Sequence, residues 1–272
     1  MDNAIKEIFS SHKIELFGAI PLSLCHVTRE YKIKKAGFES TDSLHAIIVA
    51  VPYLAKAEGR NISAYAVPRD YHLYFKELFA DIIPILEDKF KGHRFAGFAD
   101  DSPIDERDAA ARVGLGILGD NGLLITEKYS SFVFLGEIIT DLPIRCETVE
   151  PKFCEGCGSC KRVCPISEIG VCLSALTQKK GELDENEIAA IKKYGTAWGC
   201  DACQRVCPHT GRALKNGTIF TNIEFFKSHL IPHLTTEIID EMSDEDFKSR
   251  AYSWRGRNTI RRNLEIIENK ND

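Results

Sequence analysis

Eight of the ten cysteines in this chain lie between Cys154 and Cys207, and their spacing constrains the fold more than any other feature. The first run reads Cys154-x2-Cys157-x2-Cys160-x3-Cys164-Pro165, and the second reads Cys200-x2-Cys203-x3-Cys207-Pro208. Aligned from its proline, the second run lacks its first cysteine. Cys172 is the spare cysteine nearby that can supply it. The two runs together therefore offer eight thiols as metal ligands.

This spacing is typical of iron–sulfur proteins. Thiolates two residues apart can wrap three corners of a cubane, and the fourth, three residues further on, points toward a second cluster. By symmetry we expect two [4Fe–4S] clusters, close enough for electron relay, with the ligand sets Cys154, Cys157, Cys160, Cys207 and Cys164, Cys172, Cys200, Cys203. Structural zinc is the alternative, but zinc sites usually pair two C-x2-C knuckles roughly a dozen or more residues apart. Cys25 and Cys146 are expected to be ordinary thiols.

Charge and hydropathy exclude some classes of protein. The formal net charge is −5, so only a local basic patch could attract nucleic acid. The N-terminus lacks the basic start and apolar core of a signal peptide. The most apolar stretch, residues 46–55, is interrupted by Pro52 and is about half the length needed to span a bilayer. We therefore expect a cytoplasmic protein with no membrane partner, whose crowded cysteines bind metal.

Hydrophobic patterning predicts a mixed first region. Apolar and β-branched runs predict strands, and three- and four-residue spacing predicts helices. Pro84 should kink or divide the longer helix. Two later strands are expected to pair with each other. The expected strands are 14–20, 45–51, 122–126 and 132–140, and the expected helices are 70–90 and 105–113.

The chain divides into three predicted domains, with residues 1–145 before the clusters, 146–212 around them and 213–272 after them. The first is large enough for a core and a pocket, which favours a reductase over a simple carrier. Gly114-x-Gly116-x-x-Gly119 follows a helix and precedes a strand, so it indicates a turn and not a dinucleotide site. The basic segment 254–263 is either a solvated helix face or a polyanion contact.

Two polar segments stand out in the first region. Arg69-Asp70-Tyr71-His72 suits a helix N-terminus, with Asp70 as the candidate cap. Asp100-Asp101-Ser102-Pro103 suits a turn entering a helix, with Asp and Ser as caps and Pro103 near the first helical position. Both segments have a purely structural interpretation.

Several motifs, taken in order, resemble the epoxyqueuosine reductase family over about residues 60–265. They are residues 65–72, 100–107, 114–121, 134–138 and 199–204, together with both cysteine runs. The resemblance implies an α+β protein: an α/β corrinoid-binding domain with a nitroreductase-like sheet and helices, a ferredoxin-like module with two clusters, and a short helical tail.

The resemblance also implies an oxidoreductase that uses cobalamin and two [4Fe–4S] clusters. Its substrate would be epoxyqueuosine in the anticodon stem-loop of tRNA, and the product queuosine. A low-potential ferredoxin or flavodoxin would donate the electrons. The family's acid corresponds to Asp100, with Asp101 as the alternative; an extended segment would point the two side chains to opposite sides. The implied cofactor-binding residues are Arg69, Asp70, Tyr71, His72, Asp101, Ser102 and Asn121.

Three features depart from the family's pattern. Asp120 stands where the family has lysine, Ser130-Ser131 replaces Gly-Ser, and the chain ends at Asp272 without room for the C-terminal helical-repeat domain of longer members. Two alternatives therefore stay open. One is a corrinoid and iron–sulfur reductase of another substrate, and the other is a two-cluster electron-transfer protein without its own substrate.

Overall fold

The structure is a computed structural model that describes residues 2–269. Met1 and residues 270–272, which fall in the first and third predicted domains, lie outside the described residues. Six strands are present in this part of the chain: β1 (Leu16–Pro21), β2 (His45–Pro52), β3 (Phe95–Phe98), β4 (Ile117–Leu118), β5 (Leu124–Ile125) and β6 (Val133–Thr140). None of the described helices is long and apolar enough to cross a membrane.

Helices account for most of the remaining regular structure. The α-helices in residues 2–269 are α1 (Asn3–Ser11), α2 (Glu30–Lys35), α3 (Tyr71–Lys89), α4 (Glu106–Arg112), α5 (Ser159–Val163), α6 (Ile166–Ile169), α7 (Leu173–Thr177), α8 (Glu185–Tyr194), α9 (Ala202–Arg205), α10 (Pro208–Lys215), α11 (Glu224–Lys227), α12 (Thr236–Glu241), α13 (Asp244–Lys248) and α14 (Arg257–Glu268). Short 3-10 turns occur at Leu22–Leu24, Ala64–Ala66 and Ser253–Arg255.

The chain forms two compact units, each built from separate segments. Unit 1 comprises residues 1–52, 72–157 and 216–219, and unit 2 comprises residues 53–71, 158–215 and 220–272. These segments interleave along the sequence, whereas the three predicted domains are continuous. The division at residues 145 and 212 remains a prediction.

Unit 1 is organised around a four-stranded sheet in the order β1-β2-β6-β3, in which every neighbouring pair is antiparallel. The central strand β2 is buried from Ala46 to Val51, which explains its continuous apolar sequence. Its neighbour β6 carries Glu137, a charged residue type with no exposed surface. Helices and an antiparallel sheet in one chain confirm the α+β class.

Two local expectations for unit 1 were wrong, and a third was left partly untested. Strand β5 pairs with β4 and not with β6, because Thr126 and Ser130 close a tight turn after which β6 joins the larger sheet. Helix α3 continues through Pro84 without dividing, and the alternative, a kink at Pro84, stays a prediction. The cap of α4 is Asp105, whose carboxylate accepts from two backbone N–H groups of the first turn, so Ser102 and Pro103 precede the cap.

Unit 2 is held together by short helices and buried polar side chains. The fully buried side chain of Asn263 on α14 donates to the carbonyls of Thr177 and Ala197, at 2.7 and 2.9 Å. Asn61 bridges to Leu234 through both ends of its amide, at 2.7 and 2.8 Å. Buried apolar residues around Trp198 and Tyr252 complete this core. The segments that carry cysteines are therefore tied to the C-terminal helices.

The basic C-terminal segment is largely paired within unit 2. Arg257 forms an ion pair with Asp244 at 3.0 Å, and Arg261 forms one with Asp240 at 2.9 Å. Arg262 donates to backbone carbonyls. These contacts favour a helix face over a polyanion contact for these three arginines.

Candidate active site and cysteine ligands

Asp100 lies on an exposed turn of unit 1, directly after β3. Its φ of 63° is in the left-handed region, and its side chain is 63% exposed. His72, in the first turn of α3, places Nε2 3.4 Å from Asp100 Oδ2. The turn therefore presents a carboxyl group to solvent beside an imidazole, which suits a group that exchanges protons.

Asp101 points to different partners from those of Asp100. Its carboxylate pairs with Arg29 at 3.0 Å and, more closely, with Lys32. The hydrogen bond from Lys32 lowers the pKa of Asp101, so this group stays ionised and is a poor proton donor. The separation of the two aspartates was expected from an extended segment. In the structure it arises from the left-handed turn at Asp100.

Ser102, a predicted cofactor contact, lies beneath this turn. It is buried, its hydroxyl donates to Glu137, and it accepts the backbone N–H of Ile104 at 3.0 Å. Burial raises the pKa of Glu137 well above its ordinary value, and the negative charge of Glu106 adds to the effect. Burial also raises the pKa of Glu106 to about 7. These two glutamates occur in the motifs quoted above, but the sequence assigned them no role.

The glycine-containing stretch that ends at Asn121 contacts the first cysteine of the first run. The backbone N–H of Cys154 donates to Leu118 at 2.9 Å, and the backbone N–H of Asp120 donates to Cys154 Sγ at 3.3 Å. Hydrogen bonds from backbone N–H groups to ligand sulfur are among the factors that tune the reduction potentials of clusters. Asn121 Oδ1 accepts from Leu123 at 3.2 Å, while its buried Nδ2 has no hydrogen-bond partner in the described chain.

The remaining predicted cofactor residues belong to unit 2. The guanidinium of Arg69 lies 4.3 Å from the centre of the Phe225 ring, and its buried Nε has no hydrogen-bond partner among residues 2–269. The backbone N–H of Asp70 donates to Ser249 at 2.8 Å. Asp70 and Tyr71 have further interactions of their own. Arg69 thus offers an unused donor suited to a polar ligand.

Five of the predicted ligand cysteines influence one another within unit 2. Burial raises the pKa of Cys203 to about 11, and the negative charges of Cys200, Cys164, Cys160 and Cys172 add to it. Such crowding of thiolates is unfavourable unless metal cations offset it. No three His, Cys, Asp or Glu side chains among the described residues lie close enough to hold a single metal ion. The support for clusters therefore comes from donor type and spacing.

The cysteines of one predicted ligand set all belong to unit 2, whereas those of the other set are divided between the two units. Cys164, Cys172, Cys200 and Cys203 all belong to unit 2. Cys154 and Cys157 belong to unit 1, whereas Cys160 and Cys207 belong to unit 2. Both sets remain predictions.

Sequence reasoning missed Asp201, which lies between two predicted ligands. It is buried, accepts from the hydroxyl of Ser63 and from the backbone N–H of Ala64 at 2.8 Å, and lies 3.8 Å from Arg60. Only its position next to Cys200 hinted at a role. Asp201 anchors the second cysteine run to residues 60–64.

Comparisons with known proteins were made by sequence and by fold. No family model matches the chain. Epoxyqueuosine reductase of Listeria monocytogenes is 32% identical over 85% of this chain and 64% of its own length. The same enzyme of Gloeobacter violaceus is 31% identical over 74% of this chain and 64% of its own length. The chain thus resembles the epoxyqueuosine reductase family in sequence over most of its length.

The fold agrees with this family. A crystal structure of an epoxyqueuosine reductase with an epoxyqueuosine-modified tyrosine tRNA stem-loop matches with a TM-score of 0.74 and 22% identity. The match covers 97% of this chain and 80% of that one. The chain spans slightly less than two thirds of the length of the two epoxyqueuosine reductases matched by sequence.

Proposed function

We propose that this chain is a cobalamin-dependent oxidoreductase that converts epoxyqueuosine to queuosine in the anticodon stem-loop of tRNA. The observation that carries the proposal is the sequence match to epoxyqueuosine reductases over 85% of the chain. The structure supports it by presenting Asp100 on an exposed turn beside His72. The electrons would come from a low-potential ferredoxin or flavodoxin through two [4Fe–4S] clusters.

The residues present fit the implied cofactors. Asn121 and Arg69 each hold a buried side-chain donor without a hydrogen-bond partner in the described chain, as residues that bind a polar ligand would. They, with Asp70, Tyr71, His72, Asp101 and Ser102, are the proposed corrinoid contacts. The eight cysteines are the proposed cluster ligands. When bound, the cobalamin would supply the two electrons that the epoxide requires.

The protein's own contribution to the chemistry is proton delivery. Reduction of an epoxide to an alkene consumes two electrons and two protons and releases water. An alkoxide is a poor leaving group, so a proton must reach the leaving oxygen. Asp100 would donate that proton, and its exposed turn lets solvent replace it. Asp101, held ionised by Lys32, is unsuited to this step.

The direct test is turnover of a modified anticodon stem-loop by the anaerobically purified chain, with cobalamin and a strong chemical reductant. Mass spectrometry should show the loss of one oxygen from the modified base, and the loss should require cobalamin. Cobalamin binding without turnover would favour a reductase of another substrate. The absence of both cobalamin binding and turnover would favour an electron-transfer protein.

A further inference from the structure

Two carboxyl groups lie together inside unit 1, beneath the Asp100 turn. Glu106 is the first residue of α4, and Glu137 lies in the middle of β6 with no exposed surface. The two side chains interact with each other, and Glu137 Oε2 has no hydrogen-bond partner in the described chain. A carboxyl group as buried as Glu137 beside the half-buried Glu106 requires an explanation, because isolated buried charges are strongly disfavoured.

Both ends of the Asp100 turn donate hydrogen bonds to this pair of glutamates. The backbone N–H of Asp100 donates to Glu106 Oε1 at 3.3 Å, and the hydroxyl of Ser102 donates to Glu137 Oε1. Asp100 has a left-handed backbone, which costs free energy for a residue other than glycine. The contacts to Glu106 and Glu137 are available to offset that cost, so the two glutamates are placed to fix the direction of the Asp100 carboxyl group.

The groups around the pair do not neutralise two negative charges. The charge of Lys32 lowers the pKa of Glu137, but the close contact of Lys32 is with Asp101. Asp100 and Asp105 face Glu106 with negative charge, and the thiol of Cys25 lies near Glu137. Two carboxylates in contact cannot both ionise readily. The pair is therefore stable when it retains a proton.

We propose that Glu106 and Glu137 share a proton and in this state act as positioning residues for Asp100. The inference rests on the proposed function for its consequence in catalysis, whereas the protonation of the pair can be tested without any substrate. Neither glutamate needs to touch the substrate. Their effect on turnover would arise through the orientation of Asp100.

The pH dependence of folding tests the shared proton. A carboxyl group whose pKa is raised on folding takes up a proton, so its stabilising contribution is complete below its unfolded pKa and is lost as pH rises through its folded pKa. For Glu106 the pKa rises from 4.5 to about 7, so this contribution to stability is lost between about pH 4.5 and about pH 7. Glu106→Gln removes one titrating group and keeps both an acceptor and a donor. Denaturant unfolding of the holoprotein should therefore depend less on pH in this variant, by about ten-fold per pH unit in the folding equilibrium constant.

The positioning role is tested by comparing two substitutions at one site. Glu106→Ala removes the acceptor of the Asp100 N–H and should lower kcat by about 10²-fold, the effect typical of a misplaced catalytic group, with KM unchanged. Glu106→Gln should restore most of kcat. Hydrogen exchange of residues 99–104 should be faster in Glu106→Ala only. Glu87→Gln, an exposed glutamate of unit 1, is the matched control.

The outcomes separate the possibilities. Wild-type turnover in Glu106→Ala would overturn the positioning role. An equal loss in Glu106→Ala and Glu106→Gln would also overturn it, because the pair would then itself deliver the proton. An identical pH dependence of stability in wild type and Glu106→Gln would overturn the shared proton. If Glu106→Ala fails to fold, the other two measurements on Glu106→Gln still decide. Absence of any wild-type turnover would count against the proposed function and leave the stability test intact.

Discussion

The two units achieve order in different ways. Unit 1 has a four-stranded antiparallel sheet whose central strand is buried along almost its whole length. Unit 2 has mostly short helices, which are marginal by themselves, and several buried polar side chains that bridge them. Backbone hydrogen bonds and apolar packing thus stabilise unit 1. Unit 2 depends more on single side-chain contacts and, by our proposal, on metal ligands.

The difference suggests a division of labour. A rigid sheet can support a strained turn such as that at Asp100 and a buried carboxyl pair beneath it. Short segments joined by side chains can instead arrange several thiols around a cluster. If clusters form in unit 2, part of its folding free energy comes from metal binding, as in other small metal-binding domains. The predictions below test this contrast, from the largest expected effect to the smallest.

The largest effect is expected at a cluster ligand. Cys172→Ala removes one of four thiolates from the set within unit 2, so iron and sulfide should fall from about eight of each per chain to about four. Iron and labile-sulfide analysis after anaerobic reconstitution measures this, and electron paramagnetic resonance identifies the cluster lost. Cys146→Ala is the matched control and should keep both clusters. Stoichiometric zinc without sulfide in the wild type would contradict the iron–sulfur assignment.

The next effect concerns the Asp100 turn of unit 1. Asp100→Asn keeps the shape of the side chain but cannot deliver a proton, so turnover should fall by about 10²- to 10⁴-fold. Cluster and cobalamin content should stay unchanged. Steady-state rates on the modified stem-loop measure the effect. Asp101→Asn is the comparison variant, and its loss of turnover should be smaller, because Asp101 is paired with Arg29 and Lys32 and is unsuited to donate the proton.

Most helices and strands of unit 1 could be predicted from the sequence, whereas the tertiary contacts between them could not. Strands β1 and β2 and helices α3 and α4 follow from periodicity and composition, because one local pattern specifies each. The failure of β5 to pair with β6 coincides with a turn at Ser130 between the two strands, and the positive φ of this non-glycine residue is something no local rule indicates. Glu106 and Glu137 are 31 positions apart, so their contact is invisible to spacing.

The same limit applies to the proposed site. The cysteine runs are recognisable because the cluster dictates their spacing. The exposure of Asp100 and the burial of Ser102 depend on where the sheet places residues 99–104, and the resemblance alone suggested a role for both. Asp201 and Asn263 lie within or beside recognisable motifs, but their structural roles follow only from partners far away in the sequence.

A core truncation should affect unit 1 selectively. Ile48 lies in β2 and is fully buried in the apolar cluster against the sheet. Ile48→Ala should lower the free energy of unfolding by about 2–5 kcal/mol, because it removes apolar contacts and leaves a cavity. Hydrogen exchange should increase in peptides of unit 1, and the absorbance of the cluster proposed within unit 2 should persist. Equal destabilisation of peptides from both units would contradict the contrast.

The smallest of these effects is expected from a buried amide of unit 2. Asn263→Ala leaves the buried carbonyls of Thr177 and Ala197 without their side-chain donor, and a loss of about 1–3 kcal/mol is typical of such a change. The two carbonyls flank the region of Cys172 and Cys200, so hydrogen exchange should increase in peptides of unit 2 and cluster loss on dilution should be faster. Asn258→Ala is the matched control, since Asn258 lies exposed on the same helix and lacks these contacts. The control separates helix propensity from the bridging amide, because both substitutions change propensity in the same direction. Similar behaviour of the two variants would show that unit 2 does not depend on this bridge.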